Sequence, residues 1–290
     1  MFSNFQQKTI NTSNATINLM IGGQGLPILL LHGYPQTHYM WHKIAPLLAS
    51  NFTVIATDLR GYGDSSKPKQ DSKNHQNYSK RALAQDQVEV MEALGYNDFF
   101  LVGHDRGARV GHRLALDYPH KVKKMALLDI APTLKMYSLT DKDFASIYYH
   151  WFFLIQDYPL PETLIANSSE FFLENCLKRW SKNFGAFTQE AISEYKRCFC
   201  NWDTIHSTCE DYRASATIDL EHDRMNDQKI NCPLLILWGK NGFVGKKYDL
   251  LSTWAEYAHQ VSGKAIDCGH FLPEEAPQET YTSIYDFLMD

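Results

Sequence analysis

Helical patterns alternate with short apolar runs through the first half of the chain. Ile17 to Ile21, Ile28 to Leu31, Phe52 to Thr57, Phe99 to Val102 and Met125 to Leu128 read as strands. Between them, Trp41 to Leu48, Arg81 to Leu94 and Arg106 to Leu116 carry apolar residues at helical spacing. Alternation of this kind implies a parallel sheet covered by helices on both faces.

The rhythm stops near Thr133. From there to Asp227 no run reads as a buried strand, and aromatic residues are dense: Phe144, Tyr148, Tyr149, Trp151, Phe152, Phe153, Phe171, Phe172 and Trp180. This stretch reads as several helices. Strand-like runs return at Leu234 to Leu237 and Lys264 to Ile266, and a last helix is expected near Gln278 to Leu288. The expected organisation is an α/β core of residues 1–132 and 228–290 with a helical cap of residues 133–227 inserted into it. Residues between cap and core would line an enclosed cleft. A length of 290 residues suits a core with an insertion.

Charge and composition remove several classes of function. The formal net charge of −5 gives no footprint for nucleic acid or an anionic membrane, so an anionic substrate would need local arginines to attract it. Met1 to Gln7 is polar and holds no signal-peptide core. Apolar runs such as Leu234 to Trp238 are too short to cross a bilayer, and a cytoplasmic location is expected. The cysteines Cys176, Cys198, Cys200, Cys209, Cys232 and Cys268 form no C-x-x-C pair and are expected to be reduced thiols. The spacing of Cys198, Cys200 and His206 matches no common zinc site, and no metal or cofactor is expected.

The run Phe99 to Val102 leads into Gly103-His104-Asp105-Arg106-Gly107, and a helix follows. This has the form glycine, any residue, nucleophile, any residue, glycine. The turn is tight, and a side chain at either glycine would clash. It would lift Asp105 to the top of the sheet at a helix N-terminus, where peptide dipoles favour an anion. Taken alone, the pattern also describes an N-capping aspartate. Three further features select the catalytic reading. His32-Gly33-Tyr34-Pro35 follows a strand and would bring the Tyr34 N–H to the elbow, where it forms an oxyanion hole with the Arg106 N–H. Asp129 ends the strand Met125 to Leu128, and Gly269-His270 follows the last strand. Nucleophile, acid, histidine is the chain order of the α/β hydrolases. Gly239 to Gly242, after the strand where many such chains carry the acid, holds no carboxylate, so Asp129 is the candidate. Asp58 to Ser65 reads as a structural loop near the site.

An aspartate nucleophile is ionised at neutral pH without help from a base. Its natural target is an electrophilic sp³ carbon, which gives an alkyl ester. His270, held by Asp129, would then act as general base on a water that hydrolyses the ester. Carbon–halogen cleavage and epoxide opening both fit. A halide needs fixed hydrogen-bond donors, whereas an epoxide oxygen needs a proton donor.

The chain resembles the fluoroacetate (haloacetate) dehalogenases. The resemblance runs through His104 to Arg113 at the elbow, through Tyr149-His150-Trp151-Phe152 and Asp211-Tyr212-Arg213-Ala214 in the expected cap, and through core segments around His32 to Pro35, Asp58 to Pro68 and Leu128 to Pro132. It implies an α/β-hydrolase fold with Asp105 as nucleophile, Asp129 as acid and His270 as base. It further implies that Arg106 and Arg109 bind a substrate carboxylate, that His150, Trp151 and Tyr212 bind the leaving halide, and that the protein is a homodimer. Arg106 and Arg109 lie three apart on one helix face, where two guanidinium groups could clamp a small acid. Pairing with structural acids such as Asp117 or Asp129 is their alternative use. Tyr34 is expected to contribute its backbone, with its side chain of less consequence.

An epoxide hydrolase would share Asp105, Asp129 and His270, and could use Tyr148 or Tyr149 with Tyr212. Two arginines beside the nucleophile are a burden for a neutral epoxide. A haloalkane dehalogenase usually has Trp after the nucleophile and Asn after the H-G pair, where Arg106 and Tyr34 stand. A non-catalytic receptor would not need the full set of nucleophile, acid and base.

Overall fold

The apolar runs pair into one eight-stranded sheet in a computed structural model, which describes residues 2, 4–69 and 74–290. The strands are β1 (Gln6–Asn11), β2 (Thr16–Gly22), β3 (Leu26–Leu31), β4 (Phe52–Thr57), β5 (Phe99–His104), β6 (Val122–Leu128), β7 (Leu234–Gly239) and β8 (Val261–Ile266), in the order β1-β2-β4-β3-β5-β6-β7-β8. From β4 to β8 all neighbours are parallel, while β1 with β2 and β2 with β4 are antiparallel. β5 is buried along its whole length, as its unbroken apolar character requires. Helices Lys80–Ala93 and Arg106–Asp117 pack on each other beside the sheet.

Three elements differ from the sequence reading. Met1 to Gln7 was expected only to be polar, yet Gln6 and Gln7 begin β1 (Met1 and Ser3 lie outside the described residues). β1 is an edge strand, largely exposed, and so needs no apolar run. β8, at the other edge, begins at Val261 rather than Lys264 for the same reason. The single helix expected over Trp41 to Leu48 is a 3₁₀ turn, His38–Trp41, and a short helix, Ala45–Leu48. Pro46 explains the break, since it lacks the N–H that would bond back to the preceding turn.

Between β6 and β7 the described elements are all helical, from Thr133–Ser138 to Ile218–Arg224. No helix among the described residues is long and apolar enough to cross a membrane.

The elbow helix lies so close to β3 that Gly107 has no room for a side chain. A Cβ there would meet the His32 carbonyl oxygen at 2.3 Å and the Leu31 carbonyl carbon at 2.6 Å, and both are backbone atoms. By helix propensity alone, Gly107→Ala should stabilise by about 1 kcal/mol. The clash should reverse the sign and destabilise by about 1–3 kcal/mol. Urea unfolding measures the difference, and a variant as stable as the parent contradicts the packing.

Candidate active site

Leu31 of β3 lies opposite Gly103 of β5, so the loops leaving the two strand ends meet. The connection order reverses here, with β4 on the far side of β3, and such a switch point opens a crevice beyond the strand ends. Asp105 occupies the turn at φ 47° and ψ −114°, in the left-handed region. A residue with a side chain is held there at a cost of about 1–3 kcal/mol. Gly33 permits the close approach, since a Cβ on it would lie 2.4 Å from the Asp105 Cβ.

The Tyr34 N–H donates to Asp105 Oδ1 at 3.0 Å. Among the described residues, the Arg106 N–H makes no bond to this carboxylate, although it was expected as the second donor. Asp105 Oδ2 faces His270 Nε2 at 3.9 Å, too far for a direct hydrogen bond. His270 Nδ1 donates to Asp129 Oδ2 at 2.6 Å, and the Gly239 N–H donates to Asp129 Oδ1 at 3.0 Å. That arrangement leaves Nε2 as the nitrogen able to take a proton. Behind the loop, the Leu59 N–H donates to His32 Nε2, so His32 Nδ1 carries the ring proton and donates to the Gly33 carbonyl. Burial lowers His32 to about 4 and keeps it neutral. Asp58, in the loop read as structural, accepts from the backbone N–H groups of His38 and Asp64 and from the Asn18 amide.

Two opposed effects set the Asp105 charge. Burial alone would push its carboxyl up, but the positive field of His270, Arg109 and Arg106 outweighs this and holds it below its ordinary value. For His270, burial favours the neutral ring, and the hydrogen bond and charge of Asp129, with the charge of Asp105, more than reverse it.

Arg106 and Arg109 both lie buried beside Asp105, with different partners. Arg106 forms an ion pair with neither Asp117 nor Asp129. Its Nε donates to Asp211 Oδ2 at 2.8 Å and its Nη2 to Asp211 Oδ1 at 2.9 Å. Arg109 bonds no acid among the described residues: its Nη1 donates to the Ala131 carbonyl and Thr133 Oγ1, and its Nη2 to the Met136 sulfur. Arg106 Nη1 and Arg109 Nε are buried with no partner among the described residues. Unpaired buried donors on charged groups are costly, so a pair of them beside one carboxylate marks a place for an anion.

His150, Trp151 and Tyr212 gather next to the arginines. The Arg106 guanidinium lies 4.1 Å over the Tyr212 ring, and that of Arg109 lies 4.7 Å over Trp151. The ring of His150 is 5.7 Å from that of Tyr212. Burial lowers His150 to about 3, so its ring is neutral and carries one N–H. A cavity of about 200 Å³ opens over the carboxylates, lined by Asp105, Asp129, Tyr148, His150, Trp180 and His270 among others. Arg106, Arg109, Trp151 and Tyr212 are not part of its wall.

The Tyr34 side chain, expected to be of less consequence than its backbone, packs into the aromatic cluster. It is fully buried, with its ring 5.3 Å from Tyr212, 6.2 Å from Trp180 and 6.5 Å from His150. Tyr148, named above only for an epoxide hydrolase, and Trp180, given no role, both line the cavity. The Trp180 carbonyl also accepts the His270 N–H at 2.9 Å. No local motif marks either residue.

The sequence profile of the alpha/beta hydrolase fold matches residues 27–277. This chain belongs to the α/β-hydrolase family. It is 41% identical to a fluoroacetate dehalogenase of a Burkholderia species, over 100% of this chain and 96% of that one. The resemblance drawn from its motifs therefore holds along the whole length. A soluble epoxide hydrolase of Corynebacterium sp. (strain C12) is 35% identical, with 90% of each chain covered. Among solved structures, a protein from Nostoc sp. PCC 7120, provisionally assigned as an α/β hydrolase, is 65% identical and superposes with a TM-score of 0.98 over 99% of both chains.

The raised proton affinity of His270 can be tested directly. Its histidine resonances should titrate above 6.5, and the midpoint should move to lower pH in Asp129→Asn, which removes the hydrogen bond and charge that raise it. A base must be neutral to act, so the acid limb of kcat should move down with it. An NMR titration in which the midpoint stays or rises would contradict this account.

Proposed function

We propose that this hydrolase cleaves the carbon–halogen bond of a small 2-haloacid, converting fluoroacetate or chloroacetate to glycolate and halide through an alkyl ester on Asp105. The observation that carries the reading is the pair of buried guanidinium groups beside Asp105, each with one donor unpartnered. A carboxylate has two acceptor oxygens and the opposite charge. It also eases the difficulty that an anionic nucleophile repels an anionic substrate, because Arg109, which bonds no acid among the described residues, adds positive charge beside both. A cavity of about 200 Å³ suits a molecule of a few heavy atoms. The arginines sit behind its wall, so binding requires side-chain movement at its inner end. The Burkholderia relative supports the same class of substrate.

In this reading the two Asp105 oxygens divide the reaction. Oδ1 is held by the Tyr34 N–H, and Oδ2 makes no hydrogen bond among the described residues. Oδ2 attacks the carbon bearing the halogen; the new C–O bond forms as the C–X bond breaks, and halide leaves with the bonding pair. The neutral His150 N–H, the Trp151 indole N–H and the Tyr212 hydroxyl are the donors that would receive it. Water then adds to the Asp105 carbonyl carbon and gives its proton to His270 Nε2. Charge gathers on Oδ1, which the Tyr34 N–H faces; collapse breaks the Cγ–Oδ2 bond, His270 Nε2 gives its proton to the departing alkoxide, and glycolate leaves.

One observation favours an epoxide hydrolase. Tyr148 lines the cavity, and its hydroxyl could protonate an epoxide oxygen. The experiment is halide and glycolate release from fluoroacetate and chloroacetate, run beside diol formation from styrene oxide. Halide with glycolate is expected; diol without halide overturns the proposal. In His270→Asn the first step should proceed and the second should stall. Mass spectrometry after one turnover should find the ester on Asp105, and an enzyme that stays unmodified contradicts this division of roles.

A further inference from the structure

We propose that Asp211 is a positioning residue for Arg106, fixing its guanidinium by two nitrogens so that Nη1 is the donor left for the substrate carboxylate. This rests on the haloacid reading above.

The two arginines are held in opposite ways. Arg109 has no anionic hydrogen-bond partner among the described residues, and the negative charge that acts on it is that of Asp105. Arg106 has an acid partner. The Asp211 carboxylate grips its Nε and Nη2 side on, and Nη2 also donates to the Asp211 carbonyl at 2.8 Å and to Ser215 Oγ at 2.5 Å. A side-on fork of this kind fixes the guanidinium plane as well as its place. Arg109 thus supplies attraction, and Arg106 supplies geometry.

Asp211 is itself over-determined. The Tyr62 hydroxyl donates to its Oδ2 at 2.8 Å, and Lys80 Nζ bonds its Oδ1. Lys80 in turn meets Asp219, through its backbone N–H at 2.8 Å and through Nζ at 3.5 Å. Ser215 Oγ closes the ring by donating to Asp219 Oδ2 at 3.2 Å. Two cations and two anions therefore balance in a buried cluster. Burying Arg106 without Asp211 would leave an uncompensated charge, a loss that is strongly destabilising. The cluster spans elements that are distant in sequence. Arg106 begins the elbow helix, Lys80 begins helix Lys80–Ala93, and Asp211, Ser215 and Asp219 come from the helices between β6 and β7. Tyr212, next to Asp211, lays its ring against the same guanidinium. One helical turn thus delivers both the counter-ion and the face on which Arg106 rests.

Asp211→Asn tests this through KM and kcat separately. Removing a negative charge would by itself tighten any anion, and losing the fork would weaken it. If positioning dominates, KM for chloroacetate rises about tenfold, the scale of one hydrogen bond to a charged group. The same variant should keep kcat within about threefold, since Asp105 and His270 are untouched. The inhibition constant of acetate should rise by the same factor as KM. A fall in kcat matching the rise in KM, an unchanged KM, or tighter binding overturns the inference. Should the variant fail to fold in a thermal melt, Ser215→Ala removes one bond from the same nitrogen. There KM should rise by about threefold at constant kcat, and an unchanged KM overturns the inference. A parent enzyme that releases no halide would retire the haloacid reading. Calorimetry with acetate would still read Asp211: weaker binding to the variant supports its role, while equal binding, or none to the parent, overturns it.

Discussion

A carboxylate kept ionised in a buried site is the constraint on which the rest of the molecule depends. Burial acts against the Asp105 charge, and the field of His270, Arg109 and Arg106 restores it. Each of these supports is buried too and needs its own compensation. His270 leans on Asp129, which is tied to the Gly239 N–H. Arg106 leans on Asp211, and Asp211 on Lys80 and Tyr62. Compensation spreads outward from one carboxylate until it reaches charges that balance among themselves. This explains why so many charged residues are buried around one turn of chain. Each leaves the site unbalanced if removed, and a lone buried charge is far more costly than a paired one.

Backbone strain is the second element. Asp105 at φ 47° and Asp129 at φ 53° both stand just past the ends of central parallel strands. Positive φ in a residue with a side chain is unfavourable by about 1–3 kcal/mol, and it persists where the surroundings leave no alternative. β5 and β6 are neighbours in register from Leu101 with Met125 to His104 with Leu128, which fixes where both strands end. The Asp105 N–H continues toward the Leu128 carbonyl and the Asp129 N–H toward the Leu237 carbonyl, at 3.3 and 2.8 Å. The sheet thus holds Asp105 and Asp129 at adjacent strand ends, and His270, after β8, lies near both.

Features built from consecutive residues were legible in the sequence. The elbow, the central strands and the order Asp105, Asp129, His270 each follow from local spacing, because buried strands need apolar runs and a sharp turn needs glycine. Features that depend on distant partners were not. The fork on Arg106 joins residues 105 apart in sequence, and nothing near Arg106 names Asp211 as its acceptor. Asp211 was quoted only as part of a family-like segment. The side chain of Tyr34 was set aside because its backbone had a sufficient reason to be there, yet its ring meets Tyr212, Trp180 and His150 at the centre of the aromatic cluster. β1 escaped notice for a different reason, since an exposed edge strand needs no apolar signature.

These interactions also bear on timing in the proposed reaction. Before substrate is attacked, Asp129 at 2.6 Å and Asp105 at 3.9 Å both raise the proton affinity of His270. The ring acts as base only in its neutral form, so both charges work against that role. Ester formation then removes the negative charge of Asp105 while leaving that of Asp129. One of the influences that raise the proton affinity of His270 disappears at the moment the ester exists, which favours its neutral form. Asp129 still fixes the tautomer, so Nε2 is presented to the water. The same carboxylate that does the first step thereby favours a neutral base in the second. The Arg106 fork leaves this pairing alone, because its guanidinium is anchored on Asp211 while Asp105 Oδ2 faces His270.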